Sequence, residues 1–168
     1  MAVKEILKLG NPELYEKSEQ VWPDELDYIA RVTDDLRDTL LDFRERHGFG
    51  LAITAPQIGV KKRLVFAHIG TDLILVNPVL KDMSEEMIEL WDNCMSFPEL
   101  LVKVHRHKKG QIDYRDLNWS EQNLVLGGDL SQLLQHECDH LDGILAVQRA
   151  VDDKSFALKS ERDKLDQS

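Results

Sequence analysis

The sequence predicts a single α+β domain: an N-terminal helix, a central block of strands, and a second helix beyond them. Three observations carry that prediction. Apolar residues recur at spacings of three and four from Leu26 to Phe43. Short runs rich in Val, Ile and Leu then dominate from residue 63 to residue 126. Helical spacing returns at Leu130, Leu133 and Leu134. A chain of 168 residues suits one hydrophobic core, so a single domain over 1–168 is expected.

Asn11-Pro12 starts a short helix through about Glu16, with Asn11 as N-cap and Pro12 at the first helical position. Trp22-Pro23-Asp24 opens the long helix. Leu26, Ile29, Val32, Leu36, Leu40 and Phe43 form its buried face, and Gly48 stops it. Asp34, Asp35, Arg37 and Arg44 read as its solvated face. Strands are expected at 63–69 and 73–76, joined by a turn at Gly70. Further strands are expected at 87–91, 100–104, 111–114 and 123–126. Gly127-Gly128 breaks that pattern, and a helix follows over about 129–140. The tail, 151–168, mixes charges with Phe156, Ala157 and Leu158 and reads as a last helix over about 152–164.

Composition excludes several classes. There are 31 acidic against 21 basic residues, a formal charge of −10. Neutralising nucleic-acid phosphates needs a basic face, and docking on an anionic membrane needs the same. A hydrophobic fraction of 42% spread along the chain argues against intrinsic disorder. The N-terminus lacks the apolar run of a signal peptide, and no stretch of ~20 apolar residues could span a bilayer. Two cysteines, Cys94 and Cys138, make no disulfide scaffold. A cytoplasmic location is the expectation.

The chemistry concentrates in Gln135-His136-Glu137-Cys138-Asp139-His140, which contains H-E-x-x-H. On a helix, positions i and i+4 share a face, so His136 and His140 can offer two imidazoles to one metal. Glu137 sits about 100° round the helix and can reach a water on that metal without ligating. Cys138, at i+2 from His136, points away, into the core. A catalytic metal needs a third protein ligand and an open position. Cys94, in Asp92-Asn93-Cys94-Met95-Ser96, is the better candidate among the cysteines; His47, His68, His105 and His107 are the remaining histidines.

Three ordered segments resemble the peptide deformylase family, metallohydrolases that remove the formyl group from the N-terminus of nascent chains. Its H-E-x-D-H motif is intact at His136 to His140. Its E-G-C-L-S motif corresponds to Asp92-Asn93-Cys94-Met95-Ser96. Its G-x-G-x-A-A-x-Q motif corresponds to Gly50-Leu51-Ala52-Ile53-Thr54-Ala55-Pro56-Gln57 without a gap. The resemblance runs from near Ile6 to about Arg149. It implies antiparallel strands packed around a central metal-binding helix, with an N-terminal and a C-terminal helix. It implies Cys94, His136 and His140 as ligands to one divalent ion, Fe²⁺ natively, with Zn²⁺, Ni²⁺ or Co²⁺ able to substitute. It implies Glu137 as the proton-transfer residue, and the Gln57 amide and Met95 backbone N–H as oxyanion donors. Gly50, Leu51, Ala52 and Asn93 fall at substrate-binding positions, and Asp92 with Arg106 forms a supporting ion pair. The implied partner is an N-formylated peptide or nascent chain.

The chain departs from the family pattern at defined places. Ala52 replaces a Gly, which narrows the approach of substrate backbone. Asp92 is one methylene shorter than the family's Glu. The family's methionine slot uses apolar residues seven and four positions before the first His; here those are Asp129 and Gln132. Two readings stand for this pair. They line the slot and favour a more polar formylated substrate, or Asp129 caps the helix and Gln132 faces solvent. From Val151 to the end there are four basic and five acidic residues, which argues against a tail that docks on ribosomal RNA. Two alternatives remain beside the deformylase reading: a catalytically silent metal-bound binding module, and a metallopeptidase read from H-E-x-x-H alone.

Overall fold

The computed structural model describes residues 2–165. Asn11 caps the first short turn as expected: its Oδ1 accepts from the Glu13 N–H at 3.0 Å, ahead of a 3-10 turn over Pro12–Tyr15. A second 3-10 turn, Pro23–Glu25, leads into α1 (Leu26–His47). The buried face of α1 is Ile29, Val32, Leu36, Leu40 and Phe43, joined by Thr33 and Thr39. Both threonines satisfy their hydroxyls by donating to carbonyls four residues back. Gly48 ends α1 at φ +76°, its N–H donating to Arg44 O at 2.8 Å.

Eight strands follow: β1 (Ala52–Thr54), β2 (Leu64–Ile69), β3 (Thr71–Lys81), β4 (Met87–Asp92), β5 (Leu100–His107), β6 (Lys109–Arg115), β7 (Glu121–Gly127) and β8 (Phe156–Leu158). They make two antiparallel sheets, one ordered β1-β2-β3-β6-β7 and one ordered β4-β5-β8. The helix α2 (Gly128–Leu141) touches strands of both. The α+β fold is therefore observed, with antiparallel strands around a central helix that carries the paired histidines. α1 covers one side of the large sheet through Leu36, Leu40, Phe43, Leu64, Phe66 and Val76. Leu134, Cys138 and Leu141 of α2 pack on Val65, Leu75, Ile112 and Leu126.

Several strands run longer than their apolar patterns. β3 extends past Val76 through a bulge at Asn77 and Pro78. Asn77 takes φ +51°, and its side chain both accepts from Val21 N–H (2.9 Å) and donates to Val21 O (2.8 Å). That long-range pairing holds the bulge open.

The tail corrects one expectation. A helix over 152–164 is not formed. Phe156–Leu158 is the strand β8, paired with Leu100–Val102 of β5, and only Lys159–Lys164 is helical, as a 3-10 turn. A free strand edge on β5 outweighs the weak local preference of a short mixed segment. The expectation for residues 166–168 lies outside the described residues. Among the described residues, no helix is long and apolar enough to cross a membrane.

Candidate active site

α2 is fixed in rotation by its polar residues. Gln135 is buried; its Oε1 accepts from His107 N–H at 2.9 Å, and its Nε2 donates to His107 O at 2.8 Å. The Ser131 hydroxyl donates to the same carbonyl. These bonds clamp α2 to the end of β5 and turn His136 and His140 toward the loop that follows β4. Cys94 lies on that loop, 5% exposed. Its Sγ stands 3.3 Å from His140 Nε2, and the ligand atoms of Cys94, His136 and His140 all lie within 4.8 Å of one another.

That spacing fits a metal ion. Donors on a tetrahedral ion at ~2.0–2.3 Å lie roughly 3.3–3.8 Å apart. The ring chemistry fits as well. His136 Nδ1 bonds Asp92 Oδ2 at 2.7 Å, which leaves Nε2 as the ligating nitrogen. Burial holds His140 well below the ordinary imidazole pKa, so the ring is neutral and its lone pair is available.

Asp92 ends β4 as a buried carboxylate. Burial alone would raise its pKa, but His136 and then Arg106 outweigh that and hold it below the ordinary value. Arg106 Nη2 reaches Asp92 at 3.2 Å and Nη1 reaches Asp139 at 2.7 Å. Arg149 closes on Asp139 from the other side at 2.9 Å. The expected Asp92–Arg106 pair is thus present, within a longer chain of charges. Asp139 went unassigned in the sequence because its partners are fixed only by the fold.

Glu137 is buried, and its Oε2 has no hydrogen-bond partner among the described residues. Burial pushes its carboxyl up to about 7, with His136 and Arg106 pulling against that rise and Asp92 adding to it. It lines a cavity of about 170 Å³ together with Cys94, His136, Asp92, Asn93, Met95 and Gln57. Gln57 follows β1 on a 3-10 turn, Ala55–Ile58. Its Oε1 accepts from Thr54 N–H (3.0 Å) and the Thr54 hydroxyl, which aims Nε2 at Ser96 Oγ (3.2 Å) and Cys94 Sγ (3.7 Å). The amide therefore faces the ligand cluster as a donor.

Gly50, Leu51 and Ala52 form the opposite wall, preceded by Phe49. Gly50 sits at φ +117°, and a Cβ there would meet Phe43 at 3.3 Å, so only glycine fits. Arg44, expected in solvent, instead donates from Nε to Gly50 O (2.9 Å) and from Nη2 to His68 O (3.0 Å). It ties α1 to this wall.

The two slot residues divide. Gln132 lines the ligand-containing cavity beside Leu133. Asp129 does not; it borders an adjoining apolar groove of about 520 Å³ with Leu51, Leu73, Leu124, Leu130 and Leu133. Nor does Asp129 cap α2: Gly127 holds the N-cap position, and no side chain bonds there. Phe49 and Leu133 were missed as cavity residues, since each reads as ordinary core in an apolar pattern. Cys138 is buried against the large sheet as expected, and burial pushes its thiol up to about 12.

A thiol and two imidazoles within 4.8 Å of one another, beside a cavity that also holds a buried carboxyl, form a group that could hold one metal ion, the donor set of a mononuclear metallohydrolase. Residues 3–156 match the family model for polypeptide deformylase. The chain is 39% identical over 175 residues to peptide deformylase 1 of Prochlorococcus marinus, covering 96% of this chain and 88% of that one. It is 36% identical to the peptide deformylase of Leptospira biflexa, covering 97% and 96%. The crystal structure of the Thermotoga maritima peptide deformylase superposes with a TM-score of 0.82 at 24% identity, over 90% of this chain and 100% of that one. The Synechococcus elongatus enzyme in complex with actinonin gives 0.82 at 26%, over 89% and 80%. The chain belongs to the peptide deformylase family and is an enzyme of that type.

Proposed function

We propose that this enzyme removes the N-formyl group from formyl-methionyl peptides of nascent proteins in the cytoplasm. The observation that carries the reading is the convergence of Cys94, His136 and His140 beside a buried Glu137 with an unpartnered oxygen. Cys94, His136 and His140 would hold a divalent ion, Fe²⁺ natively, which would supply Lewis acidity and make a water more acidic. Glu137, with its carboxyl near 7, takes the proton as the water attacks the formyl carbon. It then delivers that proton to the departing amine nitrogen. Gln57 Nε2 and the Met95 N–H donate to the oxygen on which charge develops. Asp92 holds the His136 ring, and Arg106 holds Asp92. The open edge of β1, which pairs only with β2, offers the backbone of Ala52 to an extended peptide. A relative from Acinetobacter baumannii, 28% identical, has a structure with Met-Ala-Ser bound.

One observation favours a second reading on substrate. Gln132 lines the cavity, and its side chain has no hydrogen-bond partner among the described residues. A thioether packed against that amide desolvates it without return, at ~1–3 kcal/mol. A formylated substrate with a hydrogen-bonding side chain avoids the penalty.

The test is amine release from formyl-Met-Ala-Ser by protein purified anaerobically with Fe²⁺, or with Ni²⁺. Turnover that falls at least about 10²-fold in Glu137→Ala, with metal retained, is the expected result. Tight metal without turnover on any formylated peptide would support a silent binding module instead. Cleavage of unformylated peptides would support a metallopeptidase. Gln132→Ile is expected to raise activity on formyl-methionine relative to formyl-glutamine substrates; an unchanged ratio would remove the second reading.

A further inference from the structure

The segment after residue 156 lies beyond the stretch matched by the family model, yet it reaches the wall of the reaction cavity. Ser155 is buried; its hydroxyl donates to Asp152 Oδ1 (2.9 Å) and accepts from Asp152 N–H (3.0 Å). That closed turn delivers the chain into β8, whose register pairs Leu158 with Leu100. The next N–H, from Lys159, donates to Glu99 O at 2.8 Å. The backbone of Lys159 is thus fixed by sheet pairing, and its Nζ stands 4.3 Å from the centroid of the Phe49 ring. Among the described residues, no carboxylate pairs with this ammonium.

Phe49 is the half-buried aromatic at the cavity's edge, directly before Gly50. Its ring packs edge-on against the fully buried Phe43 at 5.1 Å and 87°. Arg44 pins the next residue through Gly50 O. Those contacts leave the ring face toward the tail, and Lys159 covers it. A cation over an aromatic face is attracted by the ring quadrupole, and the lysine stem shields the ring from water.

We propose that Lys159 is a positioning residue for the substrate wall: by covering Phe49 from the tail, it sets the seating of the peptide along residues 49–52. This rests on the deformylase reading above. The residue is remote from the reacting atoms, so its effect falls on binding of the peptide and not on the chemical step.

Lys159→Met keeps the stem and removes the charge. It is expected to raise KM for formyl-Met-Ala-Ser about two- to fivefold with kcat unchanged. Lys159→Arg is expected to restore KM, since a guanidinium also sits well on a ring face. Amide hydrogen exchange at 49–52 is expected to quicken in Lys159→Met and not in Lys159→Arg. In a Phe49→Leu background, Lys159→Met is expected to add nothing further. Unchanged KM and unchanged exchange in Lys159→Met would overturn the proposal. So would equal damage in the Met and Arg variants, or a fall in kcat that tracks melting temperature. If the unaltered protein releases no amine from any formyl-peptide, the functional reading fails, and the exchange experiment alone then decides the Lys159–Phe49 coupling.

Discussion

Asp92 carries more than its sequence position suggests. It was expected to pair with Arg106 and does, but its shortest contact is 2.7 Å to His136 Nδ1. A carboxylate there fixes the tautomer and the ring plane, and keeps Nε2 available. Asp92→Ala is expected to weaken Zn²⁺ affinity about 10- to 100-fold in a chelator competition titration. Unchanged affinity would mean that the ligand cluster orients its own rings. At the same scale, His136, His140 and Glu137 were legible because their spacing is periodic along one helix, whereas Cys94, on the loop after β4, was assigned only through the family resemblance. Arg44, Phe49, Asp139 and Lys159 were not. Each works through a partner that only the tertiary fold supplies: Gly50 O, the cavity, Arg106 with Arg149, and Phe49.

At the scale of elements, α1 and α2 stood out because an amphipathic helix writes its period into the sequence. β1 did not, since all three of its residues are buried and alternation is absent. β8 was misread for a related reason. Phe156, Ala157 and Leu158 carry no strand signal until β5 offers an edge. The exit of α2 is similarly tertiary. Gly143 takes φ +73°, and a Cβ there would collide with the backbone of Tyr15. That close approach, with the Ser18 N–H donating to Leu141 O at 2.8 Å, docks the N-terminal segment on the end of the histidine helix. Gly143→Ala is expected to cost about 2–3 kcal/mol in urea unfolding, from positive φ and steric overlap together. A loss under about 0.5 kcal/mol would show that the two segments separate without consequence.

For the whole molecule, long-range ion pairs tie separate elements together beside three apolar clusters: Arg37 of α1 to Asp72 of β3, and Arg106 of β5 to Asp139 of α2. One is readable by pH. Asp72 on β3 accepts from His68 (2.8 Å) and from Arg37 of α1 (2.7 Å), and Arg37 also holds Asp34. The His68 hydrogen bond, helped by Arg37 and opposed by burial, lowers the Asp72 pKa below 3.8. A depressed carboxylate stabilises the fold above its unfolded pKa of about 3.9 and loses that contribution as pH falls through the folded value. The stability difference between the protein and Asp72→Asn is therefore expected to be at its full value from about pH 5 upward and to shrink below about pH 4. A difference that persists at pH 2–3 would assign the effect to packing.

All of these scales meet at the three ligands, and substitution with Co²⁺ reads them most directly. One Co²⁺ per chain is expected, with a thiolate-to-metal charge-transfer band in the near ultraviolet and one sulfur at about 2.3 Å by X-ray absorption. Cys94→Ser should abolish the band, and Cys138→Ser should leave it intact. A bound ion with no sulfur neighbour, or a band that survives Cys94→Ser, would contradict the account.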